Sequence, residues 1–105
     1  MLLVIDRDNT VGIYSSVADA EAQLETIDVE LGEYDFCDET GQPYVGEMLQ
    51  TVGKFRNGKF RIVPRGTRDP ALPGTFLSRA VECHSRLPGL KTLEDARSYF
   101  TAQKT

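Results

Sequence analysis

The sequence predicts an α+β domain in which an antiparallel β-sheet packs against helices. Short apolar runs near the N-terminus and segments that alternate apolar with polar residues indicate strands. Two later stretches carry apolar residues at helical spacing behind a threonine that can cap a helix. With 105 residues, 40% of them hydrophobic, the chain is long enough for one core, so we expect residues 1–105 to form a single domain.

The first elements are two strands and a helix. Residues 2–5 and 11–14 are apolar runs separated by polar turn residues, which indicates an opening hairpin or two neighbouring strands. Ser16 is a typical N-cap, and Asp19 occupies the capping-box position behind it. Apolar residues then recur at helical spacing, so we expect one helix over residues 17–27.

The next segments predict an antiparallel meander. In residues 33–37, Tyr34 and Phe36 point to one side of a strand and the acidic residues between them to the other. Residues 38–41 form a turn in which Gly41 can take a left-handed conformation. Residues 44–52 return as a strand, and Pro43 predicts that this strand starts on an edge or after a bend.

Residues 54–63 predict a β-hairpin, because Asn57-Gly58 is the preferred dipeptide of a two-residue type I′ turn. That register places Phe55 opposite Phe60, on the same face as Ile62. The cations that share the other face are Lys54, Arg56, Lys59 and Arg61. Because like charges opposite one another disfavour pairing, this hairpin requires carboxylates nearby.

Two helices are expected after a loop. Residues 64–74 contain three prolines and two glycines without periodicity, which indicates a loop. Thr75 caps a predicted helix that ends near residues 87–89. Its inward residues are Phe76, Leu77, Ala80 and Val81, with Cys83 or His84 as a further one. Thr92 and Asp95 start a last helix, whose apolar stripe is Leu93, Ala96, Tyr99 and Phe100. The sheet thus has about four to six strands, with one early helix and two C-terminal helices. A second arrangement places its two halves on opposite sides of the helices.

The net charge of −4 conceals an asymmetry along the chain. Residues 1–50 hold three quarters of the acidic residues and a single cation, Arg7, whereas residues 51–105 hold all the other Lys and Arg residues. One interpretation is that the two halves complement each other in the fold. The other is that an acidic face stays exposed and attracts a basic partner.

No enzyme class is indicated by the residue patterns. Cys37 and Cys83 lack the spacing of a zinc site or a disulfide framework. We therefore expect both cysteines to be buried and to pack as small hydrophobic residues. Cys83 adjoins His84, the chain's one histidine, but consecutive helical residues do not face each other. A Ser-His or Cys-His site would need Ser78, Ser85 or Cys37 brought in by the fold. The carboxylates match no metal-ligand signature, and glycines form no phosphate loop. We therefore expect no catalytic residues, cofactor or metal.

Two further expectations concern location and nucleic acid. The apolar run at residues 2–5 is too short for a secretory h-region or a membrane span, so we expect a cytoplasmic protein. The basic hairpin at residues 54–63 superficially resembles a nucleic-acid ribbon and supports an alternative function as a small nucleic-acid-binding or regulatory protein. Its phenylalanines lie on one face of the hairpin and its cations on the other, however, and the sequence pI is about 4.9. Nucleic-acid binding is therefore the weaker interpretation.

Residues 15–41 resemble small bacterial immunity-type proteins, the antitoxins of polymorphic toxin systems. The shared features are a helix with an Asp-Ala start that ends in Leu-Glu-x-Ile-Asp-Val-Glu, then a Gly-Glu-Tyr strand and an Asp-x-x-Gly turn. The resemblance implies a non-enzymatic protein that binds a cognate toxin domain and blocks it. An acidic surface suits a toxin with a basic active site, because it steers association and takes the place of an anionic substrate.

The carboxylates around the predicted 33–37 strand form the expected partner-binding surface. Glu33 and Asp35 alternate outward from a strand whose other side is aromatic, and the turn beside them adds two further acidic residues. The complete predicted set is Glu33, Asp35, Asp38, Glu39 and Glu47.

Overall fold

The computed structural model describes residues 1–50 and 59–102 of the chain. The strands in these residues are β1 (Leu2–Asp6), β2 (Thr10–Tyr14), β3 (Tyr34–Asp38), β4 (Pro43–Gln50), β5 (Lys59–Pro64) and β6 (Glu82–Ser85). The helices are α1 (Val17–Gln23), α2 (Thr26–Glu30), α3 (Leu72–Arg79) and α4 (Leu93–Ala102).

The strands form one sheet in the order β5-β4-β3-β1-β2-β6. Strands β1 to β5 pair antiparallel, whereas β6 runs parallel to β2, with His84 beside Gly12. The predicted α+β class is confirmed, but the prediction of a purely antiparallel sheet is wrong at this edge. The opening hairpin of β1 and β2 and the antiparallel pairing of β3 with β4 are as predicted. Strand β5 pairs with β4, with Phe60 opposite Met48, whereas the sequence placed residues 54–56 beside β5.

The largest error of the sequence interpretation is the helix predicted from Thr75 to about residue 87. Helix α3 begins earlier, at Leu72, with Pro73 in the first turn, where a proline leaves no intrahelical bond unmade. It ends at Arg79 because Ala80 is extended and the Val81 N–H donates to the Asn9 carbonyl at 2.8 Å. That bond starts β6 beside β2. Val81, predicted to face inward, is 73% exposed.

The early helical segment consists of two helices, whereas the sequence predicted one over residues 17–27. The backbone is extended at Leu24 and Glu25, which separate α1 from α2. Leu24 still packs against a buried cluster with Val17 and Ala20, as its helical spacing predicted. Two extended residues thus change the backbone direction, while the Leu24 side chain keeps its contact with the cluster.

The helix starts predicted at Ser16 and Thr92 and the predicted β3–β4 turn are confirmed. The Asp19 N–H donates to Ser16 Oγ at 3.0 Å, and the Asp95 N–H donates to Thr92 Oγ1 at 3.0 Å. In the β3–β4 turn the Gly41 N–H donates to the Asp38 carbonyl at 3.1 Å, and Gly41 has a φ of +90°. These are local interactions between residues a few positions apart, which is why the sequence alone identifies them.

Apolar side chains cover the sheet on two sides. One cluster joins β1, β2 and β3 to α3 and α4, and includes Leu3, Ile13 and Phe76. The opposite cluster joins the sheet to α1, and includes Val4 and Ile62. We call these sides the α3–α4 face and the α1–α2 face. Strand β1 contributes to both clusters, so its sequence is a continuous apolar run.

The predicted hairpin at residues 54–63 falls partly outside the described residues. Its Asn57-Gly58 turn, the strand before the turn and the pairing of Phe55 with Phe60 all lie in the part that is not described. In β5, Phe60 and Ile62 share the α1–α2 face as predicted. The carboxylate that the hairpin was expected to require is supplied to Arg61 by Glu47 on β4.

Among residues 1–50 and 59–102, no helix is long and apolar enough to cross a membrane.

Candidate functional site

The outer part of the α3–α4 face, on β4 and β5, is exposed. Helix α3 packs over β1 and β3, whereas α1 and α2 pack on β4 and β5 from the other side. By the alternation of strand residues, the side chains turned away from α1 and α2 belong to every second position. We call this surface the open face. A β-bulge lies between Met48 and Gln50, beside Leu49. The residues of the open face are Val45, Glu47, Leu49, Lys59, Arg61 and Val63.

The open face carries apolar residues on both sides of the Glu47–Arg61 pair. Val45 and Val63 are cross-strand partners, and both are half-buried. Leu49, two positions beyond Glu47 on the same strand, is 57% exposed. Large apolar side chains on an exposed sheet face favour a protein contact when a polar rim surrounds them.

The carboxylates within the open face and beside it are held in ion pairs with arginines. Glu47 Oε1 lies 2.8 Å from Arg61 Nη2, and Asp35 Oδ2 lies 3.6 Å from Arg79 Nη1. Each pair joins the acidic half of the sequence to the basic half, as the interpretation of complementary halves predicted. All four side chains are substantially exposed. Such pairs contribute only about 0–1 kcal/mol, so a partner's charges could replace either member at little cost.

Glu33 lies near these carboxylates, immediately before β3. It lines a small cleft of about 80 Å³ together with Asp6, Arg7, Asp35 and Arg79. The structure therefore brings Glu33 and Asp35 together. Glu47, on the neighbouring strand β4, shares the α3–α4 side of the sheet with Asp35.

Asp38 and Glu39, the other two predicted site residues, lie at the opposite end of β3. Asp38 Oδ1 accepts hydrogen bonds from the Thr40 N–H and hydroxyl at 2.8 and 2.6 Å, and from the Gln42 N–H at 3.0 Å. Partial burial raises the pKa of Asp38, but these bonds and nearby Arg68 outweigh it, so the pKa lies below its ordinary value. Glu39 pairs with the Met1 ammonium at 3.3 Å. The hydrogen bonds of Asp38 thus stabilise the β3–β4 turn.

The sequence interpretation missed the apolar part of the open face. In β4, one alternate set is Tyr44, Gly46 and Met48, and the other contains Val45 and Leu49. Both sets contain apolar residues, so alternation alone does not tell which one the helices cover. The available signal is Gly46: a Cβ there would approach Val29 Cγ1 of α2 to 2.5 Å. A glycine within a strand is typical of such a close approach.

The two cysteines and the histidine do not converge. Cys37 is buried in β3, and burial, followed by the charge of Asp38, raises its pKa to about 12. Cys83 is half-buried, and burial and Asp95 raise its pKa. His84 is exposed on the opposite side of β6, since neighbouring strand residues alternate between faces. Within the described ranges, no three His, Cys, Asp or Glu side chains group as metal ligands.

Comparisons with protein-family models, with curated proteins and with solved structures found no match to this chain.

Proposed function

We propose that this chain is a non-enzymatic immunity protein, which binds a cognate bacterial toxin domain through the open face and the adjoining carboxylates Glu33 and Asp35. The observation that carries the proposal is the combination of exposed Leu49 with the exposed carboxylates of Asp35 and Glu47 on the same side of the sheet. A stable interface needs an apolar region that is desolvated and a polar rim that sets orientation.

The exposed carboxylates favour a partner that carries cations. Asp35 is 67% exposed and Glu47 is half-exposed, so both carboxylates are accessible to a cation of the partner. An arginine or lysine of the toxin would compete with Arg61 and Arg79 for them. Exposed charges of this kind mainly accelerate association and select against wrong partners. Asp38 and Glu39 lie at the far end of β3, where they add to the long-range field.

Affinity purification from the native host tests this function. The tagged chain is expected to capture a protein that stops bacterial growth when expressed alone and is harmless when co-expressed with the chain. The double variant Asp35→Lys/Glu47→Lys should lose capture and protection. Glu25→Lys/Glu94→Lys, which changes exposed residues on α2's N-cap and on α4 by the same total charge, is the matched control.

Two results would contradict the proposal. The first is protection by the Asp35→Lys/Glu47→Lys variant that equals protection by the control. The second is retardation of DNA or RNA in a gel at about 0.15 M salt, where weak non-specific binders dissociate. That result would favour the basic hairpin as the binding element.

A further inference from the structure

A groove lies on the α1–α2 face, at the edge of the sheet formed by β2 and β6. It consists of two adjoining hollows of about 400 and 240 Å³, and both are lined by Tyr14 and His84. Asp19 and Arg86 line the larger hollow, whereas Asp6 and Tyr34 line the smaller one. We call the smaller hollow the tyrosine hollow.

Gly12 forms the floor of the tyrosine hollow. It is paired with Val4 of β1 on one side and with His84 of β6 on the other. A Cβ at this position would lie 3.0 Å from Cε2 and 3.1 Å from Oη of Tyr14. The glycine therefore lets the Tyr14 ring lie against the strand. This is the close approach that a glycine in a strand interior typically marks.

The lining of the tyrosine hollow includes one carboxylate, Asp6, and two tyrosine rings, Tyr14 and Tyr34. Asp6 Oδ1 accepts the N–H groups of Asp8 at 2.9 Å and Thr10 at 3.0 Å, which holds the carboxylate in place. The Tyr34 hydroxyl donates to Asp28 Oδ2 at 3.3 Å, which fixes the second ring. No lysine or arginine lines the tyrosine hollow among the described residues. Cations line the neighbouring cavities: Arg86 lies with Asp19 in the larger hollow, and Arg7 and Arg79 line the small cleft that shares Asp6 and Tyr34 with the tyrosine hollow.

We propose that the tyrosine hollow binds an arginine side chain of a protein partner. A guanidinium is planar, so it can stack on a tyrosine ring while it donates to a carboxylate, and Asp6 with Tyr14 and Tyr34 offers both kinds of contact. The proposal rests on the proposed function, because a basic toxin would supply the arginine. It adds a second contact point, on the side of the sheet opposite the open face.

The test uses the isolated chain and a small probe. Addition of N-acetyl-argininamide should shift the backbone amide NMR signals of Gly12, Tyr14 and His84 in a saturable way. N-acetyl-citrullinamide, which is nearly isosteric but uncharged, should bind at least about tenfold more weakly, a difference of about 1.4 kcal/mol. N-acetyl-lysinamide shows how much of the binding depends on the planar group.

The informative variant is Asp6→Asn, since an amide oxygen can still accept from Asp8 and Thr10 while the charge is lost. Asp69→Asn is the matched control, because Asp69 Oδ1 accepts the Ala71 N–H at 3.0 Å in the same kind of turn, away from the groove. Asp6→Asn should weaken arginine binding about tenfold, whereas Asp69→Asn should leave it unchanged. If Asp6→Asn does not fold, Tyr14→Leu replaces it, with the same loss expected.

Equal binding of the arginine and citrulline probes, equal affinity of the Asp6→Asn and Asp69→Asn variants, or shifts confined to the open face would each overturn the assignment of the hollow. None of these results bears on toxin capture by the open face. Loss of the proposed function would instead appear as the absence of a neutralised toxin, with arginine binding unchanged.

Discussion

Strand β1 is covered on both faces of the sheet, whereas the β4–β5 pair is covered on one face only. In β1, Leu2, Leu3, Val4 and Ile5 are each at most 3% exposed, because helices or other strands cover both sides. In β5, Ile62 is 4% exposed on the side of α1 and α2, while its neighbour Arg61 points to the open face. The comparison indicates that stability is concentrated where both faces are covered, and that the half-covered strands leave a surface for recognition.

Leucine replacements measure this difference most directly. Leu3→Ala removes a side chain with 0% exposure and is expected to lower the free energy of unfolding by about 2–5 kcal/mol. Leu49→Ala removes the same atoms from a 57% exposed position and should change it by no more than about 0.5 kcal/mol. Urea titration of both variants checks this. Similar losses would mean that the open face is part of the cooperative core.

The covered side of β4 is expected to be intolerant of added volume. Gly46→Ala places a Cβ against Val29 Cγ1, so we expect destabilisation by about 1–3 kcal/mol. Adding Val29→Ala removes the opposing methyl groups, and the double variant should lose less than the sum of the single variants. A double-mutant cycle in urea provides the measurement, and strictly additive losses would exclude this contact as the cause.

A smaller loss of stability is expected from replacement of Asp38, whose carboxylate stabilises the β3–β4 turn. Because its pKa is lowered in the folded state, ionised Asp38 stabilises the fold above its unfolded pKa of about 3.9. That contribution is lost as the pH falls through the folded pKa. Asp38→Asn should therefore be less stable than the wild type at pH 7, and the difference should shrink on acidification towards pH 3.

Thermal melts across this pH range, with Asp69→Asn as the control for charge removal, test the role of Asp38. A difference between Asp38→Asn and wild type that stays constant or grows on acidification would show that the carboxylate does not stabilise the turn through its charge.

The elements that the sequence identified correctly depend on neighbours along the chain. Ser16 and Thr92 accept hydrogen bonds from residues three positions later, and Asp38 bonds within its own turn. Strand β6 was missed because its start depends on a distant bond, from Val81 to Asn9. A short apolar segment fits a helix or a strand until its partner is known.

The structure separates the predicted acidic residues into two groups for a geometric reason. A strand rises about 3.3 Å per residue. Glu33, just before β3, and Asp38, its last residue, therefore lie at opposite ends of the strand. Sequence proximity therefore overstated how close Glu33 and Asp38 are. The apolar residues of the open face were missed because the side of β4 that is covered depends on where α2 crosses Gly46.

The central claim, that the open face binds a basic partner, is tested most directly by association kinetics with the captured toxin. At low ionic strength, Asp35→Lys/Glu47→Lys should slow association at least about tenfold, and Leu49→Ala should speed dissociation. The control Glu25→Lys/Glu94→Lys should show a much smaller change in association rate. Equal slowing by the two charge-reversed variants, with dissociation unaffected by Leu49→Ala, would show that the toxin binds elsewhere on the molecule.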